Sequence, residues 1–160
     1  MDSSANINSD IINFRKYLVA NKDVYALILS NLETVAKKSN KYLVSLLKID
    51  GKLDNNLLET NQFKTHGYAW FETYRIGLRE TFNWFNSLED LEKSSEIDAS
   101  ITIFAFSEYL LQMKNGIMMS QSEVIRPIDI GLQDSDFNFM NDPSVQELIE
   151  IGLSDKIKKV

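Results

Sequence analysis

The sequence predicts an all-α fold, a helical bundle of three to four long helices with short C-terminal helices. Apolar residues recur at three- and four-residue intervals through most of the first 115 positions, the signature of helices with a buried face. The two prolines, Pro127 and Pro143, both come late, so no position in the first 126 residues loses a helical N–H. At 160 residues, folding hides roughly 70% of the surface the unfolded chain exposes. One core therefore suffices without staples, and cysteine is absent.

The first helical region runs from Ile11 to Leu47. Val24, Leu27, Ile28, Leu32 and Val35, then Leu43, Leu46 and Leu47, repeat at helical spacing. The region is one long helix or two, broken near Ala20 to Asp23 or Ser39 to Lys41. Asp50-Gly51 then supplies a turn.

From Asn55 to Leu91 two apolar stripes interleave, Phe71, Leu78, Phe82 and Phe85 on one and Trp70, Tyr74, Gly77 and Trp84 on the other. A helix apolar around so much of its girth belongs at the centre, against more than one neighbour. Gly77 costs about 0.5 to 1 kcal/mol relative to alanine inside a helix and points to close approach of another backbone. Ile97, Ile101, Phe104 and Leu111 continue the pattern in a third region that stops at Asn115-Gly116. Ser120 and Glu123 have capping-box spacing, which predicts a short helix ended by Pro127 near Ile125 or Arg126. After a loop, Asp142-Pro143 reads as N-cap and first residue of a last helix, with Gly152 as its stop. The organisation read from these signals is a flexible N-terminus at residues 1–9, a helical bundle at 10–132, and a C-terminal appendage at 133–160 with a short helix and a basic tail.

Charge and composition narrow the function classes. Seventeen basic and 23 acidic side chains leave a net charge of −6, which repels a phosphate backbone, so nucleic-acid binding is not expected. The first ten residues lack the cationic and apolar segments of a secretory signal, and the apolar-rich run Ala99 to Ser107 is far short of the roughly 20 residues that span a bilayer. No membrane association is expected, and a chain without cysteine suits the reducing cytoplasm.

Little catalytic chemistry is visible. His66 is the only histidine, so a Ser-His-Asp or multi-histidine metal site has at most one candidate; the Glu-x-x-His pairs of a di-metal bundle are absent, and no metal site is expected. The glycines never reach the spacing of a nucleotide-binding loop. His66, one turn before Trp70, and Glu108, beside Phe104, Tyr109 and Leu111, are the candidate buried polar residues. Glu108 should then need a partner such as Arg75, Arg79, Arg126 or His66, because an unpaired buried charge is costly. Glu72 and Glu80 lie at helix-face spacing from those arginines and read as structural ion pairs. No catalytic and no cofactor-binding residue is assigned.

His66-Gly-Tyr-Ala-Trp70-Phe-Glu-Thr-Tyr74, followed by Gly77-Leu-Arg79 and preceded by Gln62, forms one set of motifs. Phe106-Ser-Glu108-Tyr109-Leu110-Leu-Gln112, then Gly116-Ile-Met-Met119-Ser120-Gln121-Ser-Glu123 and Arg126-Pro127-Ile-Asp129-Ile-Gly131-Leu132, forms another. Together, over about residues 55–132, they resemble the N-terminal extension of methylsuccinyl-CoA dehydrogenase-like flavoproteins of the acyl-CoA dehydrogenase superfamily. In that family the flavin, the acyl-CoA site and the catalytic carboxylate belong to the larger domain that follows, and Val160 stops short of any such domain. The resemblance therefore implies a helical accessory domain without catalysis of its own, with FAD expected only on a separate dehydrogenase partner. The implied partner is an acyl-CoA dehydrogenase-like subunit, or self-association. Met118, Met119, Gln121, Arg126 and Pro127 are the candidate interaction residues, because methionine adapts to apolar surfaces and arginine is enriched in binding hot spots. Two alternatives stand beside this reading: an acyl-CoA or other apolar ligand bound between the aromatic stripes with His66 or Glu108 moving a proton, and a free-standing interaction module.

Overall fold

The computed structural model describes residues 13–159. The expected flexible N-terminus at residues 1–9 lies outside them. The fold is all-α, as the periodicity predicts, with helices α1 (Phe14–Ala20), α2 (Lys22–Leu47), α3 (Asn55–Thr60), α4 (Gln62–Asp90), α5 (Glu96–Asn115) and α6 (Pro143–Leu153). Two small hairpins, β1 (Lys48–Ile49) with β2 (Lys52–Leu53) and β3 (Ile117–Met118) with β4 (Val124–Ile125), are both antiparallel.

Asparagine punctuates the long helices. At Asn21 and Asn61 the backbone leaves helical geometry, and each side-chain amide donates to a carbonyl four residues back, Tyr17 and Leu57, at 2.9 and 2.8 Å. A short amide side chain that satisfies local backbone competes with continued helix. The break expected near Ala20 to Asp23 is thus the Asn21 one, and Ser39 to Lys41 stays helical. The Asn61 break, which the stripes conceal, makes α3 a separate turn capped by Asp54, whose carboxylate accepts from Leu57 N at 2.9 Å. Asp50 and Gly51 both take positive φ, the geometry of a two-residue type I′ hairpin turn.

α4 runs through the bundle between α2 and α5. Its first stripe, Phe71, Leu78, Phe82 and Phe85, is buried as expected. Tyr25 of α2 stacks on Phe82 at 5.3 Å and meets Phe106 of α5 edge-on at 4.8 Å, which ties three helices at one level. A fully buried phenylalanine such as Phe106 contributes about 1.5 to 3 kcal/mol relative to exposure.

α5 differs from expectation. Its buried face is Ala99, Ile103, Phe106, Leu110 and Met113, whereas Ile97, Ile101 and Phe104 point outward and Leu111 is half-buried. The helix is apolar on nearly every side, so two helical stripes fitted equally well and periodicity alone selected the outer one. Its start is firmly set by a capping box in which Ser95 and Asp98 satisfy each other's backbone N–H.

α6 packs on α5 through small residues. Ser107 Oγ donates to Ile103 O and Leu148 O, at 2.9 and 3.1 Å. A Cβ on Gly152 would lie 2.0 Å from that hydroxyl and 3.0 Å from Ile103 O. Gly152 is therefore a packing residue inside α6 rather than the expected helix stop. Asp142 caps α6, accepting from Ser144 N at 2.9 Å, with Pro143 in the first turn as predicted.

Two other expectations are corrected. Gly77 has nothing within 4 Å of where a Cβ would stand; the close approach occurs at Gly67, where an added Cβ would sit 2.2 Å from Ile125 Cγ1. The short helix expected after Ser120 is instead the β3–β4 hairpin. Only three residues separate Glu123 from Pro127, too few to continue a helix, and the position before a proline disfavours helical geometry. The β-branched Val124 and Ile125 pair with Met118 and Ile117. Ser120 and Glu123 close the turn, with Met119 N donating to Glu123 O at 2.8 Å. Pro127, rather than ending a helix, begins a 3-10 turn, Pro127–Ile130. No described helix is long and apolar enough to cross a membrane.

Candidate interaction surface

The two motif sets, 27 positions apart in sequence from Arg79 to Phe106, meet along one edge of the bundle. Gly116 adopts φ 136°, a conformation open to glycine, and turns the chain from α5 back along α4. Ile117 and Ile125 go into the core, and Ile125 fills the notch left by Gly67. Arg126 is extended, as a residue before proline prefers, and its N–H donates to Asp129 Oδ2 at 2.8 Å. The 3-10 turn that follows is fastened to α2. Ser39 Oγ, fully buried, donates to Ile130 O at 2.8 Å, and Gly131, at φ 78°, presses on Tyr42 so closely that a Cβ would stand 2.3 Å from the ring.

Held this way, the hairpin and the start of α4 enclose an open cleft of about 560 Å³ lined by Gln62, Phe63, Thr65, His66, Met119 and Glu123. Apolar side chains stand out around it. Met118 is 66% exposed and Ile128 74%, and Phe63 is also exposed. Met119 is half-buried against the core, Gln121 and Arg126 are exposed, and Pro127 is half-buried. The five candidate interaction residues therefore share one segment and one edge. Phe63, exposed at the cleft, was missed, because it is an isolated apolar residue in polar surroundings, where periodicity is silent.

Along α4 the second aromatic stripe forms a ladder at the surface. Trp70 Nε1 donates to His66 Nε2 at 3.2 Å, Trp70 meets Tyr74 edge-on, and Tyr74 stacks on Tyr109 of α5 at 4.4 Å. Tyr74 OH hydrogen-bonds to Gln112 Oε1 at 3.0 Å. Desolvation, aided by Tyr109, raises the Tyr74 pKa, so the phenol stays a neutral donor. The ladder joins the two motif sets directly.

The candidate buried polar pair is corrected. His66 is exposed, because it lies on the outer side of α4 where Trp70 satisfies one ring nitrogen. Glu108 is half-buried on the outward face of α5 and makes no hydrogen bond or ion pair with Arg75, Arg79, Arg126 or His66. Arg75 is engaged elsewhere, to Glu72 at 2.7 Å and to Glu33 of α2 at 2.6 Å, with its side chain only 13% exposed. Arg79 pairs with Glu80 at 3.0 Å. The Glu72 hydrogen bond raises the Arg75 pKa, and Lys37 and Arg75 lower that of Glu33. The Glu72 pair follows from helical i,i+3 spacing, whereas Glu80 pairs with its sequence neighbour Arg79 and not across a helical turn; Glu33 comes from another helix and was not legible.

His66 and Glu108 are not brought together. His66 lies about 12 Å along α4 from Tyr74, whose stacking partner Tyr109 adjoins Glu108. Among the described residues no group of three or more His, Cys, Asp or Glu side chains is disposed to hold a metal ion. What the surface offers is shape and apolar contact.

No family model matches the chain. Over 105 residues it is 36% identical to (2S)-methylsuccinyl-CoA dehydrogenase from Cereibacter sphaeroides. The match covers 66% of this chain and 19% of that enzyme, so the chain is related to the enzyme and spans about a fifth of its length.

Proposed function

We propose that this chain is a non-catalytic helical accessory domain, equivalent to the N-terminal extension of methylsuccinyl-CoA dehydrogenase-like proteins, which docks in the cytoplasm on an acyl-CoA dehydrogenase-like subunit through residues 118–132. One observation carries the reading. The segment is locked to α4 and α2 at its base by Ile125, Ser39 and Tyr42, yet presents Met118 and Ile128 to solvent. Rigidly held apolar side chains at an edge are what a partner surface needs, since little ordering entropy is lost on contact. Relation to a dehydrogenase supports the choice of partner. In this reading the flavin resides on the partner, and the domain shapes or stabilises that subunit.

Co-expression with an acyl-CoA dehydrogenase of the same organism tests the proposal. Wild type is expected to co-purify with the flavoprotein, identified by mass spectrometry and its yellow absorbance, and a folded Met118→Asp/Ile128→Asp variant to lose it. The protein purified alone should be colourless. Stoichiometric flavin retained by the isolated chain, or a partner held equally well by the variant, would overturn the reading.

A further inference from the structure

The cleft between the start of α4 and the β3–β4 hairpin carries a charge that nothing beside it answers. Glu123 is exposed at the hairpin's turn, where its carboxylate accepts from Ser120 Oγ at 3.4 Å and, among the described residues, forms no ion pair. No lysine or arginine lines the cleft. Lys64, between Phe63 and Thr65 in sequence, is turned toward α2, its Nζ 3.2 Å from Tyr42 OH and 5.7 Å from the centre of that ring. His66 brings no cation either. The Trp70 N–H can only donate, so the His66 Nε2 that it reaches at 3.2 Å is bare, and the neutral ring keeps its proton on Nδ1.

The rest of the lining is apolar or uncharged. Phe63 is 42% exposed, Met119 is half-buried, and the exposed Gln62 amide makes no hydrogen bond among the described residues. A carboxylate beside an aromatic ring, a thioether and an open amide carbonyl suits a cation carried on an aliphatic stem. We propose that the cleft receives one arginine side chain of the partner subunit, its stem against Phe63 and Met119 and its guanidinium on Glu123 and the Gln62 carbonyl. Arginine fits better than lysine, because its planar fork pairs bidentately with a carboxylate and stacks on an aromatic face, whereas an ammonium is a strongly hydrated point charge. As an account of who presents the arginine, this deepens the docking reading and rests on it. The preference for a guanidinium belongs to the isolated chain.

Amide NMR shifts of the purified chain, with no dehydrogenase present, test the cleft directly. The probes are N-acetylarginine amide, its uncharged counterpart N-acetylcitrulline amide, and N-acetylglutamate amide as the opposite charge, since the first turn of α4 by itself favours an anion. The arginine probe is expected to shift residues 62–66 and 119–123 saturably, with a Kd about 2- to 5-fold below that of citrulline, the range of an exposed ion pair. Glu123→Gln, which keeps the turn's backbone bonds, should erase that preference, and Met118→Asp/Ile128→Asp should retain it. In the complex, where water is excluded, Glu123→Gln should raise the Kd for the dehydrogenase about 30-fold or more, because it leaves the arginine buried and unpaired. Equal binding of arginine and citrulline, a preference for glutamate, an arginine preference that survives in folded Glu123→Gln, or a complex indifferent to that change would overturn the inference. An intact arginine preference with no dehydrogenase complex would instead sink the docking reading and uphold the guanidinium as the cleft's ligand.

Discussion

At Gly67 an added Cβ would stand 2.2 Å from Ile125 Cγ1, whereas at Gly77, ten residues further along the same helix, it would meet nothing within 4 Å. The first half of α4 is thus shaped to receive the β3–β4 hairpin at backbone distance. The second half buries its phenylalanines on one side and leaves its glycine beside open space. A glycine inside a helix carries the same entropic cost in both places, so only the first is repaid by packing within this chain. The contrast shows that close approach has to be read from what crosses the helix, and not from the glycine alone.

The largest expected effect follows at the first position. Gly67→Ala drives a methyl into a β-branched side chain that has little rotamer freedom, and overpacking of this kind costs about 1 to 3 kcal/mol. Urea denaturation should show a lower midpoint at unchanged m-value. Gly67→Ala combined with Ile125→Ala should be less destabilised than the two single changes added together, because the second opens the room the first requires. Strict additivity would mean that the two residues do not share one site.

The hairpin's other anchorage is polar. Ser39→Ala removes the buried donor to Ile130 O and leaves that carbonyl without its partner, at a cost of about 1 to 2 kcal/mol. Amide exchange should accelerate in residues 126–132 more than in α4 or α5. Equal protection throughout would show that the 3-10 turn is held by Tyr42 and the core alone.

How far these features could be read in advance depended on how one-sided each element is. α4 buries Phe71, Leu78, Phe82 and Phe85 on one line, and the 3.6-residue period finds them. α5 defeats the same reasoning because Ile97, Ile101 and Phe104 repeat as well as Ile103, Phe106 and Leu110 do; choosing between them needs the neighbours. The hairpin escaped because its strands are two residues each and its Ser120-x-x-Glu123 turn has the spacing of a helix cap. Met118 and Arg126 were nonetheless legible as surface candidates, since flexible or charged side chains near a proline corner seldom close a core. Glu108 was placed on the right helix but given the wrong partners, because Arg75 is claimed by Glu33 from a helix forty residues away, a pairing that periodicity cannot express.

Gly77→Ala should stabilise the chain. With no neighbour within 4 Å, the methyl meets no obstacle, and the helix gains about 0.5 to 1 kcal/mol from reduced backbone entropy in the unfolded state. A higher denaturation midpoint at the same m-value is the expected result. If the substitution destabilises the isolated chain, α4 is less straight or less open at this point than its surroundings indicate.

The smallest effect is expected at the hairpin's tip. Were Ser120 a helix N-cap, its replacement by alanine would cost about 0.5 to 2 kcal/mol by stranding a backbone donor. Here its hydroxyl is exposed and reaches Glu123 Oε2 only at 3.4 Å, while the turn is closed by backbone bonds from Met119 N and Ser120 N to Glu123 O that alanine retains. Substitutions at such exposed positions stay within about 0.5 kcal/mol of wild type. Ser120→Ala should accordingly leave the urea midpoint in place, where Gly67→Ala moves it. The same measurement on both variants locates the strength of the hairpin at its base. A loss above about 1 kcal/mol on Ser120→Ala would restore the helix cap and with it the expectation that residues after 120 wind into a helix.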